Sequence, residues 1–413
     1  MRRYTKHPVV RNALALYGIQ AANYLLPLIT FPYMARVLHA EYFGLIGSSQ
    51  AFVQYFLAFT DYGFNFSATQ DIAVHRNDPA RLSSIYSAVM VSKALLMTIG
   101  FAVMSAIIFL VPKLRHEWPL FYISYLAVVG SVLFPVWLFQ GLEKMEYITI
   151  REVGARLFGL MTIFFLVRKE SDYLVAAAIQ SGSSAVAGLV GLMYVRKFTG
   201  IGFSRVTWKD ITNTLGNGWH IFLSTAAITL YTSSNTFILY LVATPASVGF
   251  YIAAQRIIVA AKSLFTPLST AIFPHISHLA SSSREDAVVF IRKNLLRLTL
   301  PFLLMTAFLI VGAPIVIPII YGNKFGEAIR LLQVMAPIPY VVALGTSFST
   351  YFMLGLGYRR EWSRMIMQAG AINFVLLLPL LYLVSPALAV ALTGTLVEVF
   401  VLVRSYVFYR KHQ

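Results

Sequence analysis

Residues 211–255 of this chain form a run of 45 positions with no Asp, Glu, Lys or Arg, and residues 12–35, 118–142, 173–195, 298–323, 331–358 and 365–397 are equally free of them. A helix in water keeps one charged face, and runs of this length leave no room for one. A membrane-spanning helix needs about 20 mostly apolar residues, which each run supplies. Strands of a membrane barrel would alternate in segments of about ten, whereas these runs are continuous. The fold class that follows is all-α: a polytopic helical membrane protein. Charged residues make up 12% of the chain and hydrophobic ones 58%. With about 25% charge in ordinary globular domains, a soluble enzyme and a disordered chain are both excluded.

Twelve spans are predicted, at about 10–35, 43–65, 83–111, 118–140, 148–167, 173–195, 212–242, 247–273, 292–318, 327–355, 362–383 and 386–408. The basic start, Met1-Arg2-Arg3-Tyr4-Thr5-Lys6, has the charge of a signal peptide, but the apolar run after it is too long and holds Pro27 and Pro32. It reads as a retained first span. The longest predicted loops are 66–82, 196–211 and 274–291. An even span count puts both termini on one side. If that side is cytoplasmic, 22 Lys and Arg lie at cytoplasmic span ends and 6 at the opposite ends, as the positive-inside rule requires. Trp118, Trp208 and Trp362 stand at span edges, where interface anchors belong. The net charge of +17 is then explained by basic loops, and no nucleic-acid partner is expected.

The halves echo each other. Gly44-x5-Gln50 recurs as Gly249-x5-Gln255, and Gln140-Gly141-Leu142 as Leu354-Gly355-Leu356. Both pair span n with span n+6, which predicts two six-helix lobes, 1–200 and 201–413.

Polar residues inside spans fall on stripes. At 100° per residue Gln50, Gln54, Asp61 and Asn65 lie within about 60°, as do Gln255, Lys262, Thr266 and Ser269 on span eight, and Asn217, His220, Ser224, Tyr231 and Asn235 on span seven. Asn12, Asn23 and Thr30 add a weaker stripe on span one. Such groups either bond neighbouring helices or face a wet cavity. His220 reads more as a hydrogen-bonded core histidine than as a switch. Ionisable residues within spans are Asp61, Lys93, Arg156, Arg256, Lys262, Arg330 and Glu398, each costing roughly 2.5–3.5 kcal/mol at mid-membrane unless paired or solvated. Lys262 is the foremost candidate for a ligand contact, with Arg256 flanking and Lys93 next. Arg156 and Arg330 are near enough to span ends to snorkel. Asp61 and Glu398 are candidates for ion coupling. The excess of cations predicts an anionic ligand such as a phosphate or diphosphate. Prolines 27, 32, 135, 267, 301, 337, 339 and 379 are expected to kink their spans.

The chain has no cysteine, which excludes disulfides, thiolate metal sites and Cys nucleophiles. It has no phosphate-binding G-x-x-x-x-G-K-[S/T] loop, no H-E-x-x-H and no G-x-S-x-G. Neither a cofactor nor a metal is expected, and the chain is not read as an enzyme.

Several segments resemble a known family. Asn23–Tyr33 (NYLLPLITFPY), Phe43-Gly44 to Gln50-Ala51, Asp61–Gln70 (DYGFNFSATQ), Pro135–Met145 (PVWLFQGLEKM) and Gly218–Thr225 (GWHIFLST) are similar to the corresponding helices of Wzx-type O-antigen flippases, in the multidrug/oligosaccharidyl-lipid/polysaccharide exporter superfamily. The resemblance spans essentially the whole chain. It implies two six-helix lobes around a central cavity in the bacterial inner membrane. It also implies translocation of undecaprenyl-diphosphate-linked O-units, with membrane lipid as surroundings and the O-antigen polymerase and chain-length regulator as partners. In related flippases cationic cavity residues hold the diphosphate and the lipid tail leaves by a gate beside helices one and eight. The nearest positions here are Lys262, Arg256 and Lys93, with Arg11 and Arg36 at the ends of helix one. Two other readings remain: a cation-coupled drug exporter of the same superfamily, which would want an acidic cavity, and a glycan polymerase or ligase, which would want a large external loop.

Overall fold

The computed structural model describes residues 8–198 and 200–412, with side chains from Leu26 onward apart from those at 196, 198, 227, 228, 231 and 271. Among the described residues the regular structure is helical. In chain order the helices are α1 (Pro8–Asp61), α2 (Phe64–Val74), α3 (Pro79–Leu110), α4 (Pro112–His116), α5 (Trp118–Ser124), α6 (Leu126–Leu133), α7 (Val136–Gly141), α8 (Met145–Leu166), α9 (Tyr173–Phe198), α10 (Trp208–Val242), α11 (Pro245–Ser263), α12 (Thr266–Ser282), α13 (Arg284–Tyr321), α14 (Glu327–Met335), α15 (Ile338–Thr346), α16 (Arg359–Leu383) and α17 (Pro386–His412). A π-helical segment, Ser347–Leu354, follows α15.

Eight helical stretches among the described residues are long and apolar enough to cross a membrane. They coincide with predicted spans three, four, six and eight to twelve. The helices α8 and α10 are not among those eight, and both are polar: α8 carries Arg151, Glu152 and Arg156, and α10 carries the Asn217–Asn235 stripe.

The predicted element bounds need local correction. Spans one and two are continuous in α1 except at His39 (φ 57°, ψ 177°), where the chain kinks. Left-handed φ is costly for a residue with a Cβ. Span two ends early, because Tyr62 (φ 46°) and Gly63 (φ 79°) take left-handed backbone and break the helix after Asp61. Much of the predicted loop 66–82 is helical, as α2, and the predicted loop 274–291 is mostly α12 and α13. Span four is divided at Tyr125 and at Phe134–Pro135 into α5, α6 and α7, and span eight at Leu264–Phe265, two residues before Pro267.

Packing divides the chain into two compact units: residues 1–38 with 46–237, and 39–45 with 238–413. In the first, Phe64, Ile72, Phe134, Trp137 and Phe139 are fully or almost fully buried in one cluster. There α6 and α9 meet backbone to backbone. A Cβ added to Gly130 would lie 2.5 Å from the Ser184 carbonyl carbon, and one added to Gly188 would lie 2.8 Å from Leu133 Cβ. Small residues allow such approaches, and in lipid they drive helix association by dispersion. In the second unit Phe302, Phe348, Tyr351, Phe352 and Met365 form the core. Its outer face is apolar: Leu304, Phe308, Val311, Ile315 and Ile319 make an exposed stripe on α13, with Val311 79% exposed. An apolar exterior with polar groups inside is what a hydrocarbon solvent selects.

The echoed glycines meet within the second unit. A Cβ on Gly44 would lie 2.7 Å from Gly249 N and closer still to Pro245 O; one on Gly249 would lie 2.8 Å from the Ala40 carbonyl carbon. Each glycine thus abuts the residue four positions before the other, a reciprocal crossing.

Candidate functional site

In the first unit Lys93 extends from α3 with its side chain 3% exposed. Its Nζ donates to Asp61 Oδ1 at 2.7 Å and to the Ser131 carbonyl at 3.2 Å, while Ser131 Oγ donates to the same Oδ1 at 3.1 Å. The turn at Tyr62–Gly63 frees Asp61, the last residue of α1, to face α3 and α6. A Cβ on Gly63 would meet Ile221 Cγ2 at 2.6 Å, so the turn is tightly held. The pair borders a chamber of about 310 Å³ lined also by Gln54, Asn65, Arg151, Glu152 and Ser184. A buried ammonium needs a nearby carboxylate to offset its desolvation, and Asp61 supplies it.

Across this chamber α8 carries a second cluster. Arg151 pairs with Glu152, and Arg156 Nε lies 3.8 Å from the other Glu152 oxygen. Arg151 Nη2 donates to Ser184 Oγ on α9 at 3.0 Å, and its guanidinium lies 4.9 Å from the centre of the Phe134 ring. Sequence reasoning takes Arg151 as a span-end cation and passes over Glu152, Ser131 and Gln180. The spacing Arg-Glu-x3-Arg inside a predicted span is the signal that finds Glu152; Ser131 and Gln180 carry no such signal. Gln50 bonds to Gln180, whose Nε2 also reaches Met34 Sδ at 2.7 Å. It therefore stands apart from Gln54, Asp61 and Asn65, which line one chamber although the helix breaks at Tyr62.

In the second unit Lys262, at the C-terminal end of α11, donates to Glu398 Oε1 of α17 at 3.1 Å, with the two side chains 35% and 30% exposed. Nearby on α11, Gln255 Nε2 donates to the Tyr251 hydroxyl at 3.3 Å. Arg256 is half-buried in electrostatic contact with Tyr321. In each unit, then, a candidate ligand cation is joined to a candidate coupling carboxylate: Lys93 to Asp61, and Lys262 to Glu398. Each pair is neutral overall and so tolerable at membrane depth. A competing anion has the ammonium to take over, and a competing cation has the carboxylate.

The α10 residues divide. Asn235 is buried, while Asn217, His220 and Ser224 are exposed, so His220 is not a core histidine. Asn217 borders a polar recess of about 130 Å³ with Asp71, Arg81 and Asp210. There Thr207 and Asp210 form a reciprocal cap on α10: the Thr207 N–H and hydroxyl donate to Asp210 Oδ2 at 2.8 and 2.7 Å, and the Asp210 N–H donates to the Thr207 hydroxyl at 3.3 Å. The Thr207 hydroxyl above all holds the Asp210 carboxyl below its ordinary range. Arg36 is exposed on α1, whereas the side chains of Arg11, Asn12, Asn23 and Tyr231 lie outside the described residues. Among the described residues no group of three or more His, Asp or Glu is placed to hold a metal ion.

Residues 9–280 match the model of the polysaccharide biosynthesis protein family. The chain is 35% identical over 370 residues to the protein named "Putative O-antigen transporter" in Escherichia coli (strain K12), covering 90% of this chain and 89% of that one. A Shigella dysenteriae protein of the same name is 30% identical, with 90% and 93% covered. Among solved structures, the lipid II flippase MurJ in an inward closed conformation superposes with a TM-score of 0.72 at 11% identity, covering 97% of this chain and 87% of that one. An inward-facing multidrug resistance MATE family transporter of the MOP superfamily superposes with 0.67 at 14%, covering 96% and 97%. The chain is thus a multi-pass helical membrane protein with the fold shared by MATE and MurJ, and it belongs to the polysaccharide biosynthesis protein family.

Proposed function

We propose that this chain is a flippase that carries undecaprenyl-diphosphate-linked O-antigen repeat units from the cytoplasmic to the periplasmic leaflet of the bacterial inner membrane by alternating access. The observation that carries this reading is the 35% identity along 90% of the chain to a protein named for O-antigen transport. The paired ions of the site support it. A diphosphate carries more charge than one carboxylate and forms more charge-assisted hydrogen bonds, so it displaces Glu398 as the partner of Lys262. Glu398, released, is then free to meet the coupling ion, which links transport to an ion gradient. Asp61 and Lys93 offer the same exchange in the other unit. Substrate moves the equilibrium between inward and outward states only through unequal affinity for them.

In this reading twelve spans form two lobes, 1–200 and 201–413, with both termini cytoplasmic as the basic residues at span ends demand. The O-antigen polymerase and chain-length regulator act beside it, and the chain itself makes and breaks no covalent bond.

The test is complementation of a flippase-deleted strain that makes the matching O-unit, read as the O-antigen ladder on a gel. Wild type restores the ladder, and Lys262→Gln with Arg256→Gln abolishes it at equal membrane abundance. An undiminished ladder from that double variant refutes the cationic site. A chain that changes drug susceptibility and restores no ladder would instead be an exporter.

A further inference from the structure

We propose that the crevice between α8 and α9 binds the single isoprenoid chain of a polyprenyl-phosphate lipid, with the phosphate held at Arg151 and Arg156. The identity of the lipid rests on the flippase reading; the site itself rests on the geometry of the first unit.

The two helices face each other there through small residues, Gly154 and Ala155 on α8 and Ser183 and Ala187 on α9, and leave a groove of about 220 Å³. A Cβ added to Gly154 would meet no atom within 4 Å, so the space before it is open. The rim is apolar and turned outward: Ile150, Phe158 and Val186 are each more than half exposed. By its lining the groove is made for hydrocarbon.

Its inner end is different. Arg151 lines the groove and also lines the Lys93–Asp61 chamber behind it. The same arginine borders a further recess of about 310 Å³ that holds Arg156, Gln180 and Thr30. The apolar groove, the ion-paired chamber and a recess that sets Arg156 and Glu152 among apolar walls therefore meet at one side chain. A molecule that fills both kinds of space is an amphiphile, with its chain in the groove and its head in a recess. The cluster Arg151–Glu152–Arg156 sets two guanidinium groups on one carboxylate, which leaves one positive charge for the head group to balance. Guanidinium is the side chain best matched to phosphate, through paired N–H donors. A sterol or diacylglycerol would leave that charge unbalanced. A diacyl phospholipid carries two chains, and a single groove between two helices seats one. A single-chain phosphate lipid satisfies both constraints, and in a flippase this groove keeps the chain in the hydrocarbon while the head crosses.

Native mass spectrometry of the purified full-length protein, titrated with undecaprenyl phosphate, tests this. Gly154→Phe fills the groove from a position where the helix has room for it, and Gly154→Leu serves should the larger ring unsettle the fold. Arg156→Gln removes the unbalanced charge. Val311→Phe, on an exposed lipid face of α13, is the control. Gly154→Phe and Arg156→Gln should each weaken binding by about tenfold or more, with Val311→Phe within about twofold of wild type, since apolar burial and head-group charge both set lipid affinity. Binding within about twofold of wild type in folded Gly154→Phe and Gly154→Leu protein overturns the proposal. So does displacement of the probe by an equal concentration of phosphatidylglycerol, which would make the groove a slot for ordinary phospholipid. The ladder assay separates this inference from the transport reading. If wild type restores the ladder while the Gly154 variants keep full binding, the groove fails and transport stands. If wild type restores no ladder but binds the probe in a Gly154-dependent way, transport fails and the groove stands.

Discussion

Gly249→Ala is expected to destabilise the protein although alanine is the better helix former. In a helix interior the exchange alone favours the variant by about 1 kcal/mol. Against this stands the crossing of α11 with the 39–45 segment of α1. The new Cβ would lie 2.8 Å from the Ala40 carbonyl carbon and 3.0 Å from Ala40 Cα, well inside ordinary contact. Those atoms are main chain, so no side-chain rotation relieves them and the two helices must part. Overpacking of this kind costs about 1–3 kcal/mol, and with backbone on both sides the upper end applies. The net loss is then about 2 kcal/mol. Gly154→Ala is the matched control, because its Cβ meets no atom within 4 Å, and it should stabilise by about 1 kcal/mol. Thermal scans of both variants in one detergent should show Gly249→Ala melting a few degrees below wild type and Gly154→Ala slightly above it. Shifts of the same sign in the two variants would refute the reasoning, because helix propensity rather than the crossing would then be in control.

Two further outcomes follow from the site. Lys93→Met removes the ammonium that neutralises Asp61 and should cost about 3 kcal/mol, at the low end of the range for a broken buried pair because Asp61 is 34% exposed. Adding Asp61→Leu should recover most of that loss in a double-mutant cycle, and a strictly additive double variant would mean that the pair is not coupled. Thr207→Ala removes the cap that depresses the Asp210 carboxyl. A depressed carboxylate contributes stability above its unfolded value, about 3.9, and loses it as pH falls through the folded value. The melting difference between wild type and Thr207→Ala should therefore be largest at neutral pH and narrow on acidification below about pH 4, down to the part that belongs to the lost bond from the Asp210 N–H. A difference that is independent of pH would place the effect elsewhere than in the carboxylate.

The charge-free runs determined by themselves that this chain is helical and membrane-spanning, because the length of an apolar run is a local property and hydrocarbon tolerates only backbone that bonds within its own segment. The same locality marked Asp61, Lys93, Lys262 and Glu398 as costly residues in need of partners. It left the partners unnamed: Lys93 meets Asp61 across 32 positions and Lys262 meets Glu398 across 136. Pairing depends on which helix faces meet, and small residues such as Gly130 and Gly188 decide that by letting backbones touch. The stripe from Gln50 to Asn65 is smooth at 100° per residue, yet the helix breaks at Tyr62 and Gly63, where Ile221 from a distant helix packs against the turn, and Gln50 leaves for Gln180 while Gln54, Asp61 and Asn65 share the chamber. Arg151 shows the limit most clearly. Along the sequence it counts only among the 22 basic residues at cytoplasmic span ends. In the folded unit it is the side chain on which Glu152, Ser184 and Phe134 converge, because burial and charge neutralisation are properties of the packed assembly and not of the helix that carries the residue.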